Sequence, residues 1–213
     1  NEDGDISDAD RMNVGKAIPD FYGGITSNFS YKGFDLSLFG QFSVGGKVMS
    51  AWRGVNGSEG TDHLGLALSN VKVNDRGESV EQYFNVSKEV ANGYWRGEGT
   101  SNTIPRPVRI GVHTGYDYDY NVQTSTRYLE DASYFKLKTV TLGYTLPESV
   151  VKKLRVNSLR VYVSADNLLT LTKYSGYDPE TSFSGSPGDS NYGVDFGLQP
   201  VLRTFIFGLN LNF

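Results

Sequence analysis

Cysteine is absent from the 213 residues, which excludes a disulfide framework and a thiolate metal site. Histidine is nearly absent. His63 and His113 are the only two, no motif joins them to a nucleophile, and a histidine-based triad or zinc cluster has little to build on. Carboxylates such as Asp178, Glu180, Asp189 and Asp195 are plentiful. A glycosidase needs two of them about 5–9.5 Å apart across a bound sugar; solvated loop acids are the expectation here, and no enzymatic activity is expected. Nor is there an excess of one charge: 20 basic against 24 acidic side chains, net −4, leave no electrostatic footprint for nucleic acid. No apolar run approaches the roughly 18 residues of a membrane helix. No leader peptide is recognisable at Asn1. With 38% hydrophobic residues and a mean hydropathy of −0.37, a hydropathy plot reads the chain as soluble. Such a plot is blind to transmembrane β-barrels, whose strands give half their residues to the interior.

The chain is rich in glycine (25), tyrosine (14) and phenylalanine (12), and its apolar residues fall at alternate positions. The last ten residues, T-F-I-F-G-L-N-L-N-F, put Phe205, Phe207, Leu209, Leu211 and Phe213 on one face of a strand, with Thr204, Gly208, Asn210 and Asn212 mostly on the other. A lipid-facing strand with a wet interior face has this pattern. Four earlier segments alternate likewise. In 21–31, Phe21, Ile25, Phe29 and Tyr31 share a face; in 34–44, Phe34, Leu36, Leu38, Phe42 and Val44 do so. In 134–146 the apolar face is Val140, Leu142, Tyr144 and Leu146, and in 159–169 it is Leu159, Val161, Val163 and Ala165. Lys32-Gly33 reads as a two-residue hairpin turn, and Pro147-Glu148-Ser149 as the start of a short helix inside a connector over 147–157.

These lengths suit a bilayer: about ten residues at ~3.3 Å each, tilted ~40°, cover the ~25 Å apolar band of a barrel. With Phe213 at the periplasmic end, the two short connections are periplasmic and the stretches 45–133 and 172–198 are extracellular, the short-inside, long-outside rule of barrels. The expected layout is an extracellular loop over 1–20, a barrel hairpin over 21–44 and a long extracellular region over 45–133. A second hairpin with its periplasmic connector over 134–171, an extracellular loop over 172–198 and a closing strand over 199–213 complete it. Leu142, Val161, Phe207, Leu209 and Leu211 are expected to face lipid. Lys136 and Lys138 are expected to continue that outward face above the hydrocarbon, and Asp35, Arg160, Tyr162 and Asp166 to face the lumen. Five strands cannot close on themselves, and open edges are not viable in lipid, so the remaining strands must be supplied from elsewhere.

Three stretches carry a family resemblance. They are P-D-F-Y-G-G-I-T-S-N-F-S-Y-K-G-F-D-L-S-L-F-G-Q-F (19–42), R-Y-L-E-D-A-S-Y-F-K-L-K-T-V-T-L-G-Y-T-L-P (127–147) and L-R-V-Y-V-S-A-D-N-L-L-T-L-T-K-Y-S-G-Y-D-P-E (159–180). With the closing L-R-T-F-I-F-G-L-N-L-N-F they resemble the carboxy-terminal part of the SusC/RagA family of TonB-dependent outer-membrane transporters. The resemblance covers about half the chain, in the family's order. It implies an all-β fold: five antiparallel strands at the carboxy-terminal end of a large, about 22-stranded, plugged barrel. It implies a multi-pass protein of the bacterial outer membrane that imports glycan or peptide fragments. It also implies a SusD-like surface lipoprotein as partner, and TonB engaged through an amino-terminal portion outside this chain. The terminal Phe213 resembles the signal by which such barrels are recognised for insertion.

Three sets of residues are candidates for function. N-E-D-G-D-I-S-D-A-D fits most of a calcium-loop pattern, with Asn1, Asp3 and Asp10 as ligands and Asp5 offering a carbonyl, which makes Ca2+ the candidate cofactor; an acidic surface turn is the alternative. Trp52, Trp95, Tyr116 and Tyr118 lie in the long region, where aromatic faces stack on sugars, anchor a partner or pack among loops. Arg160, Tyr162 and Asp166 line the solute path or form a structural ladder. A passive porin or adhesin barrel, and a soluble carbohydrate-binding β-domain, are the rival readings.

Overall fold

The computed structural model describes residues 8–53, 67–73, 76–83, 85–109, 125–180 and 192–213. In chain order the strands are β1 (Phe21–Tyr31), β2 (Phe34–Val44), β3 (Lys47–Ser50), β4 (Ala67–Val73), β5 (Ser79–Tyr83) and β6 (Val108–Arg109). They continue with β7 (Leu129–Asp131), β8 (Tyr134–Thr145), β9 (Ser158–Thr172), β10 (Val194–Asp195) and β11 (Thr204–Asn212). Two short helices are described, α1 (Lys88–Gly93) and α2 (Glu148–Val151). The chain divides into two units, one of Lys16–Val48, Asp131–Ser182 and Leu198–Phe213, the other of Asn1–Gly15, Met49–Glu130 and Phe183–Gly197.

The first unit is one antiparallel sheet in the order β1-β2-β8-β9-β11. Alternation in the sequence delimits β1 and β2 to the residue and the other three strands to within a few residues. The β1–β2 hairpin turns at Lys32 and Gly33, both with positive φ (45° and 85°), as a two-residue type I′ turn requires. The β8–β9 connection starts at Pro147, whose carbonyl accepts from the Val150 N–H at 2.9 Å. It runs through α2 and a 3-10 turn (Lys152–Leu154) and leaves through Arg155 at φ 57°. These two short connections define one end of the sheet, the turn end.

Pairing makes the faces explicit. Leu36, Leu142, Val163 and Phe207 stand in one cross-strand row, Leu38, Val140, Ala165 and Phe205 in the next, and Phe34, Tyr144, Val161 and Leu209 in the row nearer the turn end. This apolar face is uncovered: Phe207 is 79% exposed, Leu209 64%, Phe29 60% and Leu142 44%. Only Ala165 of that face is among the buried apolar residues described. An apolar surface of this extent on one side of a sheet marks a contact with something other than water.

One expectation is overturned. Lys136 and Lys138 do not continue the outward face. The register slips between Phe39 and Gly40 on β2 and between Leu137 and Thr139 on β8, so β8 carries one extra residue at Lys138. That bulge inverts the parity of β8. Above it, Phe135 and Leu137 pair with Phe42 and Gly40 on the apolar side, while Lys136 pairs with Gln41 on the polar side. The inversion is visible in the sequence, where the apolar positions change from odd (Phe135, Leu137) to even (Val140, Leu142).

In the second unit β4 pairs antiparallel with β5 and parallel with β6. Val194 and Asp195 pair in parallel with Met49 and Ser50. Ser87 caps α1, its Oγ accepting from the Val90 N–H at 3.2 Å, and Val90 is buried. The stretch expected as one long loop region therefore holds short sheets of its own.

Candidate functional site

The polar face of the five-stranded sheet collects the chemistry. Nearest the turn end, Arg160 on β9 donates to Asp35 on β2 through two parallel bonds, Nε to Oδ1 at 2.9 Å and Nη2 to Oδ2 at 2.5 Å. The pair bridges β8, and it passes over Gly143. A Cβ there would lie 2.6 Å from the guanidinium Cζ, so only glycine lets the fork lie flat on the wall. Tyr162 reaches over its cross-strand partner Gly208 likewise, where a Cβ would lie 2.6 Å from ring Cε1 and 2.5 Å from the hydroxyl oxygen. Further from the turn end, the Thr141 and Ser164 hydroxyls are 2.8 Å apart, and Thr139 Oγ1 donates to Asp166 at 3.1 Å. Cross-strand polar pairs at successive levels make a ladder, the structural alternative weighed for Arg160, Tyr162 and Asp166.

At the end away from the turns the ladder becomes a buried ionic cluster. Lys136, 2% exposed, donates through Nζ to Asp178 and, at 2.8 Å, to Glu180. Lys138 donates to both oxygens of Glu180, at 2.9 and 2.6 Å. Burial alone would raise the Glu180 carboxyl; hydrogen bonds from the two lysines outweigh it and hold the group below the ordinary carboxylate range. The expectation of solvated loop acids fails here, because Asp178 is buried against an ammonium that the bulge turned inward. It fails for Asp195 as well, which is 4% exposed and accepts from the Gly197 N–H at 2.7 Å. The sequence carried a cue, a Lys-x-Lys pair beside a parity change, but not its partners some 40 residues on.

The remaining candidates are dispersed. Trp52 sits in a turn, its N–H bonded to the Asp195 carbonyl at 3.1 Å. Trp95 is 44% exposed and lines a cavity of about 300 Å3 with Ile104, Pro105 and Arg127. Asp10 closes a 3-10 turn over Asp8–Asp10, while Asn1, Asp3, Asp5, Tyr116 and Tyr118 lie outside the described residues. Leu142, Val161, Phe207, Leu209 and Leu211 all stand on the exposed apolar face, and Phe213 is 83% exposed.

A two-faced antiparallel sheet with an uncovered apolar side and a laddered polar side is wall material of a transmembrane β-barrel. Comparison with known proteins gives the family. The chain is 34% identical to TonB-dependent receptor P3 of Formosa agariphila over 99% of its length, and 32% identical to TonB-dependent receptor P26 of the same organism over all of it. It is 26% identical to TonB-dependent receptor SusC of Bacteroides thetaiotaomicron, again over its full length. It spans only 18%, 19% and 17% of these relatives. Among solved structures it superimposes on the RagAB peptide importer in the closed-closed state with a TM-score of 0.61, at 22% identity, over 94% of this chain and 18% of that one; this likeness speaks for the fold. No family model matches. The chain belongs to the SusC/RagA group of TonB-dependent receptors and corresponds to about a fifth of such a receptor.

Proposed function

We propose that this chain is a wall segment of an outer-membrane importer energised through TonB, taking up glycan or peptide fragments together with a SusD-like surface lipoprotein. The observation that carries the reading is the two-faced sheet: an uncovered apolar side for lipid, and a side of paired polar groups for a hydrated interior. In this reading the turn end is periplasmic, and the Lys136–Glu180 cluster lies towards the extracellular mouth. The plug and the TonB-contacting segment belong to the four-fifths of the receptor outside this chain.

The test uses the full-length receptor in its native host. Uptake of its nutrient should stop when an uncoupler collapses the proton-motive force, and a surface lipoprotein should co-purify. Uptake that persists without the proton-motive force would support a passive porin instead.

A further inference from the structure

Phe39 is the one phenylalanine on the polar face of the five strands. Its neighbours on that side of β2 are Asp35, Ser37, Gln41 and Ser43, and neither lipid contact nor burial explains it, since it is 38% exposed. Its ring reaches across β1 to Gly24, where a Cβ would be 2.8 Å from Cε2 and 3.3 Å from Cζ. The glycine makes room for the ring, which stays part-exposed on the polar side of the sheet.

Beside it the wall is hollow. The extra residue at Lys138 and the left-handed Asn167 (φ 53°) interrupt the register of three strands at one level. Asn167 Nδ2 donates to the Leu202 carbonyl at 3.1 Å and ties the far side. The result is a shallow, open depression of about 690 Å3 on the polar face. Its lining includes Phe39, Leu202, Gln41, Lys138, Asp166 and Asn167.

We infer that this hollow is a wall subsite for a neutral saccharide, one pyranose ring resting on Phe39. The inference rests on the import reading and gives it a contact point. A pyranose has an apolar C–H face that stacks on an aromatic ring and an equatorial rim of hydroxyls that both donate and accept. Carboxylate and amide side chains suit such a rim, because each carries two polar atoms: one of each is engaged within the wall, Asn167 Nδ2 with Leu202, Gln41 Nε2 with the Tyr134 hydroxyl and Asp166 Oδ1 with Thr139, and the second is the one that meets a sugar hydroxyl. The Lys138 charge is already met by Glu180, so the hollow does not select an anion.

The experiment measures binding by calorimetry to the purified full-length receptor. The probes are short neutral oligosaccharides built on glucose, mannose, galactose and xylose, with trialanine as the peptide arm. At least one saccharide should bind, Phe39→Ala and Asp166→Asn should each weaken it about tenfold, and Phe39→Trp should retain it. Heat-modifiable migration of each variant verifies that the barrel is folded. No saccharide binding, binding of trialanine alone, or a Phe39→Ala barrel that is folded with unchanged affinity would overturn the subsite. Uncoupler-sensitive uptake by the wild type is scored separately, so a lost subsite leaves the import reading standing, and passive uptake removes import even if Phe39 binds sugar.

Discussion

An arginine scan down the apolar face tests the membrane reading most directly, because the strand pairing fixes the depth of each position. From the turn end the apolar rows are Leu159–Leu211, Tyr144–Val161–Leu209, Leu142–Val163–Phe207, Val140–Ala165–Phe205, Leu137–Leu169 and Phe135–Leu171. Outside the bulge, rows lie two residues, ~6.8 Å, apart along a strand, or ~5 Å of membrane normal at ~40° tilt; Leu38 to Gly40 on β2 keeps the same two-residue step past it, so the six rows span ~26 Å. That matches the ~25 Å apolar band of a barrel. The midplane falls between the third and fourth rows, within ~3 Å of Leu142 and ~8 Å from Val161. Leu142→Arg and Val140→Arg should therefore cost ~2–4 kcal/mol each. Val161→Arg should fall at the lower end of that range, and Phe135→Arg and Leu211→Arg should cost only ~0–1 kcal/mol. Thr141→Arg, one residue from Leu142 but on the polar face, should cost less than ~1 kcal/mol. The assay is reversible urea unfolding of the full-length receptor in phospholipid vesicles. A flat profile along the strand, or a Thr141→Arg cost equal to that of Leu142→Arg, would refute the lipid contact and the depth assignment together.

Further outcomes follow from the polar side and the amino-terminal loop. Lys136→Met leaves the buried Asp178 carboxylate without its ammonium and should cost about 3 kcal/mol in the same unfolding assay, whereas Lys152→Met, in an exposed pair with Glu148, should be close to neutral. Glu180 has a lowered folded pKa, so its lysine bonds contribute stability above the unfolded carboxylate's ~4.3, and that contribution is lost as pH falls through the lower folded value. Amide exchange at Glu180, whose N–H is bonded to Asp178, should accordingly stay protected at pH 7 and rise above intrinsic-rate scaling only once the pH has fallen below the ordinary carboxylate range. Gly143→Ala should break the two-point Arg160–Asp35 contact, seen as loss of the restrained guanidinium Nε–H signal by NMR, while Gly197→Ala leaves it intact. If the 1–10 loop binds Ca2+, Asp3→Ala and Asp10→Ala should each lower the calcium content of the purified receptor; unchanged content would reject the site.

The strands and their faces were legible because a barrel wall has a lipid side and a wet side, and that contrast writes itself into every second residue from Phe21 to Val44 and from Leu159 to Ala165. What failed was local. A single inserted residue, Lys138, displaces all later side chains of β8 to the other face, and an alternation rule applied without it sends two lysines outward. The pairing of Asp178 and Glu180 escapes alternation for the same reason: without the bulge, their lysine partners fall on the opposite face. The roles of Gly143, Gly208 and Gly24 lay beyond alternation altogether, since a glycine's use here depends on which large side chain the neighbouring strand lays across it. Phe39 falls on the polar face by its register with Thr26 and Thr139, which alternation within β2 alone does not weigh.

The sheet also constrains what must stand on either side of it. β1 and β11 are its edges, each paired on one side only. In water an open edge is a liability to aggregation; in hydrocarbon it is untenable, because each unpaired backbone N–H or C=O costs several kcal/mol. β1 alone runs for 11 residues, and about half of its backbone polar groups point away from β2. The resulting penalty exceeds the roughly 5–15 kcal/mol net stability of a typical folded domain. A wall segment with these edges and an apolar face this exposed is therefore stable in lipid only when further strands are hydrogen-bonded to both β1 and β11. The 18% share of a TonB-dependent receptor that this chain matches leaves ample chain in such a receptor to provide them.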